Sequence, residues 1–141
     1  MNYHILTLND SIEWDTLLDR LPSSQQDIYY TSKYYELYEN NGDGVAKCFV
    51  FESGIDLALY PFLINSINDF GYCLDKDYFD VQGAYGYNGV ISSNYRSDFI
   101  DKFYKCFKNY CNENNIIAEF TRFNPMINNS IFSYKHMDVK F

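Results

Sequence analysis

This chain has little of what marks a membrane, secreted or nucleic-acid-binding protein. Its longest apolar run, residues 57–64, is too short to span a bilayer, and its first residues lack the basic and apolar regions of a signal peptide. Lysine and arginine total 11 against 19 aspartates and glutamates, which gives a net charge of −8. A nucleic-acid-binding surface needs clustered basic residues. We therefore expect a cytoplasmic protein that does not bind DNA and for which tRNA is a disfavoured ligand.

Cysteine and histidine are also scarce, which argues against a metal centre. The four cysteines form no CxxC pair, and only two histidines could join them: Cys48, Cys73, Cys106, Cys111, His4 and His136. Structural zinc sites need four such ligands at short spacings. No serine or cysteine stands at a recognised spacing from either histidine, so a catalytic triad is not predicted. We expect free thiols, no metal and no covalently bound cofactor.

What the chain does have is enough apolar sequence for one folded domain, residues 1–141. Apolar residues make up 47% of the 141 positions, and 15 tyrosines and 12 phenylalanines bring the aromatic share to 20% with the single tryptophan. A chain of this length buries roughly 70% of the surface that it exposes when unfolded. The composition therefore excludes intrinsic disorder and predicts a hydrophobic core.

Hydrophobic periodicity predicts a series of short strands. The expected strands are residues 3–8, 46–52, 55–64, 78–82 and 116–123. Ser53 and Gly54 form the turn of a hairpin. Pro61 cannot donate a backbone hydrogen bond, so we expect it at a sheet edge or at the exit of its strand. Residues 137–141 alternate like the start of one more strand, so the sheet is expected to lack its last strands.

Three helices are predicted between these strands. Asp10 caps the first with Glu13 as its capping-box partner, Ser32 begins the second, and residues 98–112 form the third. The expected inward residues are Ile12, Leu17, Leu18 and Leu21 on the first helix, Tyr34, Tyr35, Leu37 and Tyr38 on the second, and Phe99, Phe103, Phe107, Tyr110 and Cys111 on the third. Trp14 is expected in the core or in an interface. The fold class is α/β, a mixed sheet flanked by helices, and the third helix joins two parallel strands.

The first unusual segment follows the strand at residues 78–82. It reads Gly83-Ala84-Tyr85-Gly86-Tyr87-Asn88-Gly89, with glycine at every third position. Glycine permits a positive φ and the close approach of a ligand, and successive backbone N–H groups can bind an anion. The spacing matches neither a Walker A loop nor a Rossmann fingerprint. The alternative is a tight surface loop covered by tyrosines.

The second unusual segment places two charges, Glu119 and Arg122, in an otherwise apolar strand. Side-chain alternation puts them on opposite faces, and a charge in a central strand needs a partner. Asp80 on the neighbouring strand is the expected partner of Arg122. One interpretation is an ion pair that holds the sheet together. The other is a site in which Arg122 binds a carboxylate or phosphate and Glu119 or Asp80 acts as a base.

Together the two segments resemble the N-terminal half of FemAB-like proteins of the GNAT acyltransferase superfamily. The residues that carry the resemblance are Tyr78-Phe79-Asp80-Val81, Tyr85-Gly86-Tyr87-Asn88-Gly89, Ile116-Ile117-Ala118-Glu119-Phe120-Thr121-Arg122-Phe123-Asn124-Pro125 and Asn128-Asn129. The resemblance implies a GNAT-like domain. It also implies transfer of an acyl or aminoacyl group to an amine of a sugar or peptide precursor in bacterial cell-surface polysaccharide or peptidoglycan assembly. Members are often two such domains in tandem, so a missing second domain is implied as well.

The resemblance also implies which residues form the site. The implied catalytic residues are Glu119 and Asp80, and the implied substrate-binding residues are Tyr85, Gly86, Tyr87, Asn88, Gly89, Arg122 and Asn124. Acyl-CoA is an implied donor, but the CoA loop of GNAT enzymes reads Arg/Gln-x-x-Gly-x-Gly/Ala, and here Gln82 is followed by Gly86 and Gly89. This domain is therefore expected to bind the acceptor, a nucleotide sugar or peptidoglycan precursor, or neither substrate.

A different class of function also fits the sequence. The chain could be a non-catalytic module that binds a partner protein through its tyrosine-rich surface, or a homodimer in which two copies replace the tandem domains. The edges of the sheet distinguish the two classes. A closed edge favours the transferase, and an open edge near residues 137–141 favours assembly.

Overall fold

The computed structural model describes residues 2–140, which form one mixed α/β structure. The strands are β1 (Asn2–Thr7), β2 (Val45–Ser53), β3 (Asp56–Ser66), β4 (Phe79–Gln82), β5 (Ile91–Ser92) and β6 (Ile116–Phe120). The helices are α1 (Ser11–Asp19), α2 (Ser32–Asn40) and α3 (Ser97–Glu113). The predicted α/β class, a mixed sheet flanked by helices, is confirmed.

The strands join in a single sheet with the order β1-β2-β3-β4-β6, and β5 pairs with β3. Neighbours from β1 to β4 are antiparallel, whereas β4 and β6 are parallel and are connected through α3. The predicted strand–helix–strand unit is therefore confirmed. Within residues 2–140, no strand pairs with the outer side of β6, so β6 is an edge strand.

Helices cover both faces of the sheet. Phe103 and Phe107 of α3 pack against Phe49 of β2 on one face. On the other face, α1 and α2 bury Trp14 and Tyr35, and the indole N–H of Trp14 donates to a backbone carbonyl at 2.9 Å. Trp14 thus belongs to the core. None of the helices in residues 2–140 has the length and apolar character needed to cross a membrane.

Several predicted details of the two short helices are wrong. Ile12 is 84% exposed and Leu37 is 60% exposed, because each nine-residue helix buries only a narrow stripe. The capping box also forms one turn earlier than expected. Thr7 is the N-cap of a 3₁₀ turn that precedes α1, and the Asp10 carboxylate accepts from the Thr7 N–H at 2.9 Å. Glu13 pairs with a histidine instead.

Pro61 lies inside β3 and not at its exit, but one side of β3 is unpaired at this position, so the predicted edge position is confirmed. It pairs in register with Cys48 of β2, while on its other side β3 has no partner between the β5 pairing at Leu59 and the β4 pairing at Leu63. The Pro61 carbonyl accepts instead from the Tyr35 hydroxyl at 3.1 Å. A strand interior tolerates proline where the ladder needs no donor.

The chain after β6 differs from the prediction in two ways. β6 ends at Phe120 and not at Phe123, and residues 137–140 form no strand. Phe141, the last residue of the predicted extra strand, lies outside the described residues. Between β6 and residues 137–140, the 3₁₀ turn Asn129–Phe132 buries Phe132 against α3. This path returns the chain to the α3 face and leaves the outer side of β6 uncovered.

Candidate functional site

A groove of about 550 Å³ runs along the outer side of β6 and the chain that follows it. One wall is residues 119–125, the other is residues 137–140, and Asn128, Ser130 and Tyr134 complete the lining. We name it the β6 groove. Of the nine predicted site residues, the structure places three in its lining: Glu119, Arg122 and Asn124.

Glu119 stands between the β6 groove and the core under α3. Its carboxylate accepts from the buried Tyr60 hydroxyl at 2.5 Å, and Tyr60 Oη is also 2.5 Å from Thr121 Oγ1. Desolvation raises the pKa of Glu119, whereas the hydrogen bond from Tyr60 lowers it by a smaller amount. A half-buried carboxyl with a raised pKa beside a groove has the properties of a proton acceptor.

Asp80 does not lie beside Glu119. In the ladder between β4 and β6, Asp80 pairs with Ala118 and Val81 pairs with Glu119. Paired residues share a face and successive residues alternate, so the two carboxylates point to opposite faces of the sheet. One oxygen of Asp80 is buried without a hydrogen-bond partner in residues 2–140, and desolvation raises the pKa of this carboxyl. The structure therefore does not bring the two predicted bases together.

The predicted ion pair between Asp80 and Arg122 is also absent. The two residues share a face, but Arg122 lies four positions beyond Ala118, which is about 13 Å along an extended strand. The Arg122 side chain is exposed, and no ion pair of the described residues includes it. The Arg122 side chain therefore does not hold the sheet together, and its guanidinium can meet an anion from solution.

The glycine-rich segment reaches the end of β6, but there it binds the chain itself. The Asn88 N–H donates to the Arg122 carbonyl at 2.7 Å, and the Arg122 N–H donates to Asn88 Oδ1 at 2.6 Å. Asn88 Nδ2 donates to the Ala84 carbonyl at 3.0 Å. The buried amide of Asn88 thus fills the space in which β4 and β6 diverge. It brings the two predicted segments together.

The glycines of this segment are required by contacts within the chain. A Cβ on Gly83 would lie 1.8 Å from Asn88 Cγ, and a Cβ on Gly86 would lie 2.5 Å from the ring of Tyr29. Gly86 and Gly89 also adopt φ of 102° and 107°, which side chains rarely allow. The tight loop against tyrosines therefore accounts for the glycine pattern without a bound anion.

The tyrosines of the segment lie on the α2 side, away from the β6 groove. Tyr85 is 75% exposed, and its carbonyl accepts from the Tyr34 hydroxyl. The Tyr87 ring is 5.5 Å from that of Tyr29, which in turn contacts Tyr34 edge-on. The expected tyrosine-rich surface is present here. Tyr85 and Tyr87 do not line the β6 groove.

Two buried amides support the wall of the β6 groove that residues 119–125 form. Asn129 Oδ1 accepts from the Asn124 N–H at 2.8 Å, and Asn129 Nδ2 donates to the carbonyls of Asn88 at 2.9 Å and Val90 at 3.2 Å. Asn124 Nδ2 reaches the Asp27 carboxylate at 3.1 Å. Asn129 entered the prediction through the resemblance, and no periodic signal indicated its central position.

The raised pKa of Glu119 gives the fold a predictable pH dependence. A carboxyl whose folded pKa exceeds its ordinary value of 4.5 binds its proton more tightly in the folded state. Its stabilising contribution is full below 4.5 and is lost as the pH rises through the folded pKa. We expect Glu119→Gln to flatten the decline of Tm above pH 4.5. Asp80 acts in the same direction, so part of the decline remains.

The measurement is Tm against pH for the wild type, for Glu119→Gln and for Glu113→Gln, a control at an exposed position of α3. Parallel curves for the wild type and Glu119→Gln would contradict the assignment.

Comparisons with known proteins do not assign the chain to a family. No protein-family model matches it, and no curated protein or solved structure is significantly similar to it. Within residues 2–140, no group of three or more histidine, cysteine, aspartate or glutamate side chains is placed to hold a metal ion. What the site can do therefore rests on the β6 groove and its side chains.

Proposed function

We propose that the chain is a GNAT-like domain for acyl or aminoacyl transfer to an amine, with the acceptor bound in the β6 groove. The observation that carries the proposal is the Glu119 carboxyl, which lines the groove, bonds to Tyr60 and has a raised pKa. An amine must lose a proton when it attacks an acyl carbonyl, and a positioned carboxylate can accept that proton. The acceptor class, a sugar or peptide precursor of the bacterial cell surface, comes from the resemblance.

Two side chains of the groove, Glu119 and Arg122, have roles in this proposal. Glu119 accepts the amine proton, and the Tyr60 hydroxyl holds the carboxylate in place. Arg122 binds a carboxylate or phosphate of the acceptor through its planar fork. The donor, acyl-CoA or an aminoacyl carrier, binds elsewhere, on a second domain or a second copy, because Asn88 occupies the glycine-rich segment. The acidic balance of this chain disfavours tRNA as that carrier.

The first test is ligand binding, measured by thermal shift and calorimetry with UDP-linked amino sugars, lysine-containing peptides, CoA and acetyl-CoA. An acceptor at about 100 Kd should stabilise the fold by roughly 2.7 kcal/mol. We expect Arg122→Ala to abolish that shift and the exposed Arg96→Ala to retain it. A second copy that supplies the donor site would allow a transfer assay with acetyl-CoA on this chain alone. In that assay Glu119→Gln should retain acceptor binding and lose roughly 10²–10⁴ in rate. Full activity in Glu119→Gln would refute the catalytic role.

The open outer side of β6 favours a second candidate, a non-catalytic module for binding or dimerisation. Ile117 and Phe120 of this strand are exposed, and edge strands of this kind pair readily with other chains. Sedimentation at micromolar concentration separates the two functions. A dimer that Phe120→Lys dissociates supports assembly, whereas a monomer that binds an acceptor supports transfer.

A further inference from the structure

The β6 groove presents backbone hydrogen-bonding groups as well as side chains. Arg122 turns both of its backbone groups toward Asn88, since its N–H donates to Asn88 Oδ1 and its carbonyl accepts from the Asn88 N–H. In an extended chain, the backbone groups of successive residues point to opposite sides. Those of Thr121 and Glu119 therefore point away from β4 and into the β6 groove.

No strand in the described part of the chain takes up these outward groups. β6 pairs only with β4, and the opposite wall of the groove, residues 137–140, is irregular. A row of unpaired N–H and C=O groups at a sheet edge is a template for another extended chain. The groove therefore has the backbone chemistry to accept a strand.

The side chains beside these groups define the chemistry of that strand. Phe120 and Arg122 lie two positions apart on one face, and both are exposed. On the other face, the polar groups of Glu119 and Thr121 already bond to Tyr60. Cross-strand neighbours pair by matching apolar or opposite-charge side chains. On a strand that runs parallel to β6, an apolar residue followed two positions later by a carboxylate matches this face.

We propose that the β6 groove binds an extended peptide, which adds to β6 as a further strand. The backbone groups of Glu119 and Thr121 bond to the peptide main chain, Phe120 contacts an apolar side chain, and Arg122 pairs with a carboxylate. Strand addition of this kind takes its affinity from the main chain and its specificity from alternate side chains. The inference rests on the groove of the proposed function and narrows the acceptor or partner to a peptide.

The test uses the whole chain and an acetylated, amidated peptide, Thr-Val-Thr-Asp-Thr, in which valine and aspartate have the required spacing. Binding is measured by calorimetry and by amide hydrogen exchange. We expect the amides of Glu119 and Thr121 to gain roughly tenfold or greater protection when the peptide binds, because their N–H groups enter a ladder. Amides of α1, on the far side of the sheet, should not change.

Two phenylalanines of similar exposure give a matched pair of variants. Phe120 is 66% exposed on β6, and Phe70 is 63% exposed on a remote 3₁₀ turn. Phe120→Lys should weaken peptide binding roughly tenfold or more, and Phe70→Lys should leave it unchanged. Arg122→Glu should abolish binding of the aspartate peptide and allow binding of a peptide with lysine in place of aspartate. Each variant should keep its Tm within a few degrees of the wild type, because all three side chains are exposed.

Two results would overturn the inference directly: no peptide binding, or binding without protection of the Glu119 and Thr121 amides. A third would be protection of these amides that rises with protein concentration in the absence of peptide, because it would show that a second copy of the chain covers the edge. Transfer to an amino sugar without peptide binding would overturn this inference and leave the proposed function intact. Peptide protection without any transfer would support this inference and contradict the proposed function.

Discussion

Gly83→Ala is expected to destabilise the fold by about 3–5 kcal/mol, the sum of overpacking and lost hydrogen bonds. A Cβ at this position would lie 1.8 Å from Asn88 Cγ, so the amide must leave its place. It would then lose its bond to the Ala84 carbonyl, within the glycine-rich segment, and its bond to the Arg122 N–H, which joins that segment to the strand end. Urea denaturation followed by circular dichroism measures the effect.

A double-mutant cycle tests the cause. Asn88→Gly removes the obstacle, so Gly83→Ala should be nearly neutral in that background, with a coupling energy of about 3–5 kcal/mol, close to the whole cost of Gly83→Ala alone. Gly42→Ala is the control for a general glycine effect, because no atom lies within 4 Å of its Cβ position and only its φ of 89° opposes alanine. If Gly83→Ala is equally destabilising with and without Asn88, the clash is not the reason for this glycine.

Asn129→Ala is expected to lower the free energy of unfolding by a similar amount, about 3–5 kcal/mol, because it leaves several buried polar groups without hydrogen-bond partners. The Asn124 N–H loses its acceptor, and the carbonyls of Asn88 and Val90 lose a donor. For a domain of this size the Tm should fall by roughly 10–20 °C.

The control for Asn129→Ala is Asn112→Ala, which removes an exposed amide from α3 and should change the Tm by no more than about 2 °C. Equal stability of the two variants would show that water replaces the Asn129 amide at no cost, and that the wall of the β6 groove does not depend on it.

Much of the fold could be predicted because its signals are local. Phe99, Phe103 and Phe107 recur at helical spacing, and α3 forms where they predict it. The parallel pairing of β4 and β6 follows from the helix between them. The errors at Ile12 and Leu37 arise because a short helix offers more apolar positions than its neighbours can cover.

The candidate site was predictable in part: Glu119, Arg122 and Asn124 line the β6 groove, whereas Asp80 and the glycine-rich segment do not. Glu119 was predicted to be a site residue because it is a charge in an apolar strand, and it lines the β6 groove. The pairing of Asp80 with Arg122 failed because side-chain alternation gives the face but not the offset between two strands. Asn88 and Asn129 meet across 41 residues of sequence through side-chain amides, and no hydrophobic period encodes such a contact.

The place of Asn88 also bears on how the protein ages. Asparagine is among the thermally labile residues, and an adjoining glycine lets the next backbone nitrogen reach the side-chain carbonyl, the first step of deamidation. The chain has two such dipeptides, Asn41–Gly42 and Asn88–Gly89. Asn41 is exposed beyond the end of α2, whereas the Asn88 amide is held by its hydrogen bonds to the Ala84 carbonyl and the Arg122 N–H. Deamidation of Asn88 therefore requires prior unfolding. The aspartate that it produces cannot donate to the Ala84 carbonyl, so a deamidated chain cannot re-form this hydrogen bond of the native fold.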